Sequence, residues 1–239
     1  MKIYKILILI ILTVCTHFQT FAQANILIIT GGHDFEKESF FEMFNSFSDV
    51  NYDTVVQPAG NEMLENPMMS KYDALVFYDM YQEITESQKS AYLERLKDGK
   101  GMIFLHHSLV SYQEWPEFQR IIGGKYYLAS TENEPKSTYK HDVDIDVEIV
   151  DHNDPITQGM KDFRIHDEVY GSYKVNEGVS PVLKTNHPES TEIIGWHHQY
   201  GNSRIVYLQS GHDHHAFENE NFRTLVHNAI MWLKAGNIY

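Results

Sequence analysis

Short apolar segments alternate with helical patterns through the first half of the chain. The segments Asn25 to Thr30 and Gly101 to Leu105 contain the uninterrupted apolar runs Ile26 to Ile29 and Met102 to Leu105, and they are followed by a glycine and a histidine. Runs of this length and composition are typical of parallel strands that are buried on both faces. Tyr52 to Val56 and Ala74 to Tyr78 predict two more strands, and the capping-box sequence Thr85 to Gln88 predicts the start of a helix. Because parallel strands need crossover connections, this alternation predicts an α/β fold with a doubly wound, mostly parallel sheet.

The second half of the chain has a less regular pattern. Alternating apolar residues from Val143 to Ile149 predict a half-exposed strand, whereas the polar segment from Thr131 to His141 is predicted to be a loop. Short apolar runs and amphipathic spacing predict the remaining elements. These are the helices Pro116 to Ile122 and Phe222 to Leu233, and the strands Asp167 to Tyr173, Pro181 to Lys184, Glu192 to Trp196 and Arg204 to Gln209.

Length and charge limit the possible classes of function. The chain has 239 residues, of which 42% are hydrophobic, and this suits one α/β domain better than two. Its formal net charge is −14 at pH 7, so we expect no nucleic-acid partner. Fourteen histidines are present, and imidazole serves both metal binding and proton transfer near neutral pH.

The N-terminal segment has the features of an export signal. Two lysines precede an apolar run from Ile6 to Leu12, and small residues near Ala22 offer a cleavage site. We therefore predict a signal peptide over residues 1–22, a single domain over residues 23–239, and a secreted or periplasmic protein without a membrane span. Alternatively, Cys15 lies in a sequence that loosely resembles a lipobox, which would anchor the protein to the envelope. Since Cys15 is the only cysteine, the mature protein would have no thiol nucleophile, thiolate ligand or disulfide.

Polar, titratable residues cluster where the predicted strands end. The densest cluster is Gly211 to His215, which contains three histidines and one aspartate. Ligands bind at the carboxyl ends of the strands in open α/β sheets. We therefore expect several strand-end clusters to form one polar site. The others are Gly31 to Asp34, His106 to Ser108, His166 to Glu168 and Trp196 to His198.

Several of these segments, in order, resemble the ThuA-like, or trehalose-utilisation, family. They are Asn25 to Asp34, Gly101 to His106, Asp167 to Tyr170 and Trp196 to Asp213. The resemblance implies a class I glutamine amidotransferase-like fold, a flavodoxin-like three-layer sandwich. It also implies a carbohydrate substrate, such as an oxidised (keto) disaccharide or glycoside. In that fold a cysteine normally follows a central strand, and His106 holds this place here. Without a thiolate, glutamine hydrolysis by that route is excluded.

The candidate site residues suit a metal-assisted enzyme that hydrolyses, eliminates or isomerises a sugar. Neutral imidazole and carboxylate groups bind Zn²⁺ and similar divalent ions. The predicted metal ligands are His33, His106, Glu168 and His212, with His107, His198 and His214 as alternates. Glu168, Asp213 and His107 are predicted to transfer protons. Tyr170, Trp196, His198 and His214 are predicted to bind the sugar.

Other interpretations of the same residues remain open. Two carboxylates flanking a sugar would support metal-free acid–base hydrolysis, and a non-catalytic sugar-binding protein of the envelope would use the same pocket. Ser108 is a weaker candidate for a hydrolase nucleophile because it lacks a Gly-x-Ser-x-Gly elbow. Asp34 is equally well explained as the N-cap of a helix, and Trp196 as a core residue. Asp167 and Glu168 alternate across a strand, so only one of them can face the site.

Overall fold

The fold is built around a large mixed sheet. The structure is a computed structural model that describes residues 23–236, and within them the main sheet has nine strands in the order β2-β1-β3-β4-β11-β10-β9-β6-β7. A separate two-stranded sheet pairs β5 with β8. The strands are β1 Ala24–Gly31, β2 Val50–Val56, β3 Ala74–Asp79, β4 Gly101–Leu105, β5 Gly124–Lys125, β6 Thr138–Ile149, β7 Phe163–Gly171, β8 Lys174–Val175, β9 Ser180–Lys184, β10 Ile193–Tyr200 and β11 Ser203–Leu208.

One half of the main sheet is parallel. Strands β2, β1, β3, β4 and β11 all pair in parallel, whereas β10, β9, β6 and β7 extend the sheet with antiparallel pairings. The order 2-1-3-4 in the parallel half is that of flavodoxin-like sheets. The α/β class predicted from the sequence is confirmed.

Helices cover both faces of the parallel half. Alternate side chains of β1 explain this arrangement: Ile26 and Ile28 pack with α1 and α6, whereas Leu27 and Ile29 pack with α3 and α4. A strand buried on both faces must be apolar at every position, which accounts for its unbroken hydrophobic run. The helices are α1 Lys37–Asn45, α2 Ala59–Met63, α3 Glu86–Lys97, α4 Pro116–Ile122, α5 His214–Phe217 and α6 Glu220–Ala235.

Four details of the predicted elements are wrong. The strand predicted over Asp167 to Tyr173 begins earlier, at Phe163, and ends at Gly171. The segment from Thr131 to His141 is not all loop, because β6 begins at Thr138. Asp34 does not cap α1, which begins at Lys37 with Glu36 in the N-cap position. The strand predicted to end at Trp196 continues to Tyr200. Each of the other three errors concerns polar residues at the end of an element, where hydrophobic periodicity carries no signal.

The predicted signal peptide and Cys15 lie outside the residues that the structure describes. Within residues 23–236, no helix is both long and apolar enough to cross a bilayer.

The capping box predicted at the start of α3 is present. The Gln88 backbone N–H donates to Thr85 Oγ1 (3.3 Å), and the Thr85 backbone N–H donates to Gln88 Oε1 (3.0 Å). Because Thr85→Ala leaves one helix N–H unsatisfied, we expect it to lower the free energy of unfolding by about 1 kcal/mol. Urea denaturation measures this. The control is Thr224→Ala, which removes a hydroxyl from inside α6 and is expected to change stability by less than about 0.5 kcal/mol. Equal effects of the two substitutions would contradict the capping role.

Candidate functional site

A cavity of about 290 Å³ opens at the carboxyl ends of the parallel strands. His33 follows β1, His106 and His107 follow β4, and His212 follows β11. Glu168 and Tyr170 reach the same cavity from β7, where their spacing of two puts both side chains on one face. Six residues predicted for the site therefore lie around one cavity: His33, His106, His107, Glu168, Tyr170 and His212.

His106, Glu168 and His212 form a compact cluster of ligand atoms. Glu168 Oε2 lies 2.9 Å from His106 Nε2 and 3.2 Å from His212 Nδ1. The two imidazole nitrogens are 3.3 Å apart. His106 and Glu168 are buried and His212 is partly buried, and the three polar groups meet at the floor of the cavity.

The orientation of the His106 side chain is set by its own backbone conformation and by a hydrogen bond to a neighbouring backbone carbonyl. It has a φ of 49°, an uncommon conformation for a residue other than glycine, and this turns the chain sharply at the end of β4. Its Nδ1–H donates to the Gln209 carbonyl at 2.7 Å, which leaves Nε2 directed into the cluster. The Tyr170 hydroxyl lies 3.0 Å from the same Nε2. A lone-pair nitrogen and a carboxylate oxygen at 2.9 Å repel each other, so the pair requires a proton or a metal cation between them.

Asp167 and Glu168 have different roles because they point to opposite sides of β7. The buried carboxylate of Asp167 accepts the backbone N–H groups of Gly211 (2.8 Å) and His212 (3.0 Å). It thereby fixes the loop that carries His212. For Glu168, burial opposes ionisation, but hydrogen bonds from His106 and His212 outweigh it and hold the pKa of the carboxyl far below its usual range. The Glu168 hydrogen bond in turn raises the pKa of His212.

Residues 25–233 match the family ThuA, described as "Trehalose utilisation". The chain belongs to the ThuA family. Among solved structures, a ThuA-like protein from Parabacteroides merdae ATCC 43184 is 19% identical with a TM-score of 0.77, and the match covers 90% of this chain and 91% of that one. A ThuA-like protein from Bacteroides uniformis ATCC 8492 is also 19% identical, with a TM-score of 0.67 and coverage of 88% and 91%. No curated protein sequence matches this chain significantly.

The ThuA fold also resembles part of a larger enzyme. The match to a GH42 β-galactosidase from G. stearothermophilus covers 87% of this chain but only 30% of that chain, at 12% identity and a TM-score of 0.57. At this identity the likeness extends to the fold alone.

His107 is the most unusual side chain in the cavity of this ThuA-family protein. It is 2% exposed, and neither ring nitrogen has a hydrogen-bond partner among the described residues. Its ring lies between Tyr78 (4.3 Å between centroids) and His33 (5.1 Å). Burial, and then the nearby imidazoles, lower the pKa of His107 well below its usual value, so the ring is neutral at pH 7. Leaving a buried imidazole without a hydrogen bond lowers the free energy of unfolding by roughly 1–3 kcal/mol, and a bound polar ligand that supplies the missing bond would recover this loss.

Four residues predicted for the ThuA site do not line the cavity. Trp196 is fully buried, and its indole N–H donates to the Ile122 carbonyl (2.8 Å), while His198 Nε2 donates to the Ile121 carbonyl (2.9 Å). Both therefore cap the last turn of α4. Asp213 is the N-cap of α5 and accepts the His215 N–H. His214 binds Glu36 through its backbone N–H and its Nδ1, each at 2.9 Å.

The sequence did not predict the outer wall of the cavity. Tyr139 and His141 come from the start of β6, in the segment that was predicted as loop, and Lys136 lies just before it. His141 Nδ1 lies 3.4 Å from Glu168 Oε1. The spacing of Tyr139 and His141 is the sequence signal that could have revealed this wall, since residues two apart on a strand share a face. Met80, Tyr81, Val110, Tyr126 and Leu128 complete the lining.

Proposed function

We propose that this protein is an enzyme that binds a divalent metal ion through His106, Glu168 and His212 and acts on an oxidised glycoside or disaccharide. The reaction would be a hydrolysis, an elimination or an isomerisation. The observation that carries the proposal is the convergence of two imidazoles and one carboxylate on the floor of a cavity. The family description, "Trehalose utilisation", supports a carbohydrate as the substrate class.

The spacing of the three ligand atoms suits a metal ion. Ligands about 2.0–2.2 Å from an ion lie roughly 3.3–3.6 Å apart in tetrahedral coordination and roughly 2.8–3.1 Å apart in octahedral coordination. The distances of 2.9, 3.2 and 3.3 Å span these two arrangements. The Nδ1–H of His106 donates to a backbone carbonyl, as is usual for histidines that bind metals through Nε2. Two imidazoles and one carboxylate favour Zn²⁺, Fe²⁺ or a similar ion over Mg²⁺ or Ca²⁺.

The wall of the cavity suits a sugar. Tyr81 and Tyr139 are exposed at its mouth, while Tyr126 and Tyr170 are buried deeper. Tyrosine combines an apolar ring face with a polar edge, which suits a ring whose own faces are apolar and whose rim carries hydroxyls. The unpaired nitrogens of His107 would then bind a substrate hydroxyl or carbonyl.

Within this proposal, the residues of the cavity divide the chemical steps between them. The metal ion would supply Lewis acidity that polarises a sugar carbonyl or a water molecule. His107 is a neutral imidazole in contact with the cavity and would accept the proton removed from the substrate. Tyr170, whose hydroxyl lies 3.0 Å from His106 Nε2, would orient the sugar beside the cluster. The predicted signal peptide leads us to propose that these steps occur outside the cytoplasm.

The two-carboxylate mechanism is less well supported. Among the described residues that line the cavity, Glu168 is the only one with a carboxyl group. Asp213, the predicted partner, is occupied at the start of α5. Hydrolysis by an acid and a base on opposite sides of the sugar needs a second carboxylate within about 5–10 Å of the first, facing the same cavity.

Metal content is the direct test of this proposal. The untagged wild-type protein, purified without chelators, is expected to contain close to one divalent metal ion per chain by elemental analysis. His212→Ala is expected to lose most of it because one of the three ligands is gone. His227→Ala, which removes a partly exposed histidine paired with Asp49 outside the cavity, is the matched control and should retain the metal.

Activity is tested next with glycosides and their 3-keto derivatives, before and after treatment with a chelator. Turnover that survives complete metal removal would favour acid–base catalysis without a metal. Binding of a keto-sugar in calorimetry without any turnover would favour a sugar-binding protein. Absence of metal from the wild-type protein, even after incubation with Zn²⁺, would refute the metal site.

A further inference from the structure

His141 lies opposite Glu168 at the point where strand β6 has a bulge. Lys140 pairs with Val169 and Val143 pairs with Asp167, so His141 and Asp142 together oppose the single residue Glu168. Asp142 has a φ of 55°, the left-handed conformation that lets the strand absorb the extra residue. His141 therefore keeps the face of Tyr139, which pairs with Tyr170, and the extra residue shifts the register only from Val143 onward.

The contacts of Glu168 are divided between its two oxygens. Oε2 faces His106 and His212, whereas Oε1 faces His141 Nδ1 at 3.4 Å. The His141 ring also lies 4.6 Å from the His212 ring, centroid to centroid. His141 is thus in contact with two of the proposed ligands, although it is not one of the three residues whose ligand atoms cluster.

We propose that His141 is a positioning residue that holds Oε1 of Glu168, so that the carboxylate presents Oε2 alone between His106 and His212. This role rests on the metal site proposed above. Carboxylate ligands that are free at both oxygens bind metal ions through one oxygen or through both. A donor on Oε1 would favour the one-oxygen arrangement and leave room for a substrate oxygen. Outer groups of this kind contribute substantially to metal affinity.

The position of His141 makes it suitable for substitution. Its side chain is 46% exposed and lies on the rim of the cavity, outside both hydrophobic cores. His166, on the neighbouring strand β7, is a matched control, because it is also partly exposed (37%) and contacts a carboxylate, Asp144, away from the cavity.

The experiment is a titration of the metal-free protein with Co²⁺, followed by its visible absorption. We expect His141→Ala to raise the Kd on the order of 10-fold. We also expect weaker absorption bands, because a carboxylate bound through both oxygens raises the coordination number of Co²⁺. His141→Gln keeps an N–H donor near Oε1 and should recover most of the affinity and the band intensity. His166→Ala should match the wild type in both measurements.

The other possible results of the titration separate failure of the positioning role from failure of the metal site. If His141→Ala binds Co²⁺ with wild-type affinity and an unchanged spectrum, the positioning role is refuted while the metal site stands. If His141→Gln is as weak as His141→Ala, donation to Oε1 is not what His141 provides, and the role is again refuted. Wild-type protein that binds no Co²⁺ would refute the metal site itself, and this role with it.

Discussion

Glu168→Gln is expected to lower the affinity for Zn²⁺ or Co²⁺ on the order of 100-fold or more, which corresponds to about 2.8 kcal/mol. The substitution keeps the shape of the side chain but removes the negative charge that His106 and His212 share at 2.9 and 3.2 Å. A neutral amide oxygen is a poor substitute for a carboxylate ligand of a divalent ion. Competition with a coloured chelator measures the loss, and catalytic activity should fall with metal occupancy.

The matching control is Glu189→Gln, which removes an exposed carboxylate paired with Lys140 at the surface. It is expected to leave metal affinity unchanged, so that a general effect of net charge is separated from the loss of a ligand. Thermal unfolding of both metal-free variants shows whether they are folded. Wild-type affinity in a folded Glu168→Gln protein would contradict the ligand role of Glu168.

The convergence of the histidines was predictable because it follows from topology. His33, His106 and His212 each come directly after a strand of the parallel half, and the carboxyl ends of parallel strands meet at one edge of the sheet. It was also predictable that only one of the two carboxylates of Asp167 and Glu168 would face the site, since successive residues of a strand point to opposite sides. Hydrophobic patterning was sufficient to predict the parallel strands because they are buried and short.

The positions of three histidines were predicted wrongly, for physical reasons that cannot be read from the local sequence. His198 was expected at a strand end, but β10 continues to Tyr200, so this residue lies within a strand and packs against α4. His214 follows the site in sequence, but α5 begins there and directs the residue toward Glu36. His141 was missed because the start of β6 is polar and has no hydrophobic alternation. Edge strands and bulges depend on their partner strand, which local sequence does not reveal.

Behind the cavity lies a buried polar network that composition could not predict. Asp79, the last residue of β3, is 1% exposed and accepts hydrogen bonds from Gln57 Nε2 (2.8 Å) and Ser111 Oγ (3.2 Å). Its backbone N–H donates to Ser108 Oγ at 3.2 Å, and Ser108 lies two residues after His106. The network therefore joins the end of β3 to the turn that carries His106. Burial raises the pKa of Asp79 to about 6, although the Gln57 and Ser111 hydrogen bonds act against it.

This raised pKa makes the contribution of Asp79 to stability depend on pH. The unfolded chain ionises Asp79 near pH 3.9, whereas the folded protein retains the proton until about pH 6. Between these values the native state binds more protons, so the free energy of unfolding falls as pH rises. The loss amounts to about 3 kcal/mol and is complete above pH 6. Below pH 4 the group is protonated in both states and the penalty is absent.

Asp79→Asn should therefore stabilise the protein at pH 8 and not at pH 4. The amide retains one oxygen acceptor and cannot ionise, so it avoids the penalty of about 3 kcal/mol but loses about 1 kcal/mol from the second acceptor. The net gain of about 2 kcal/mol corresponds to a rise in Tm of roughly 4–8 °C at pH 8. Urea denaturation of wild type and variant at pH 4 and pH 8 measures the difference, with the exposed Asp34→Asn as control. The prediction depends on a neutral group suiting this buried position better than an ionised one. Equal destabilisation by Asp79→Asn at both pH values would contradict it and would show that Asp79 is ionised in the folded protein and held by its hydrogen bonds.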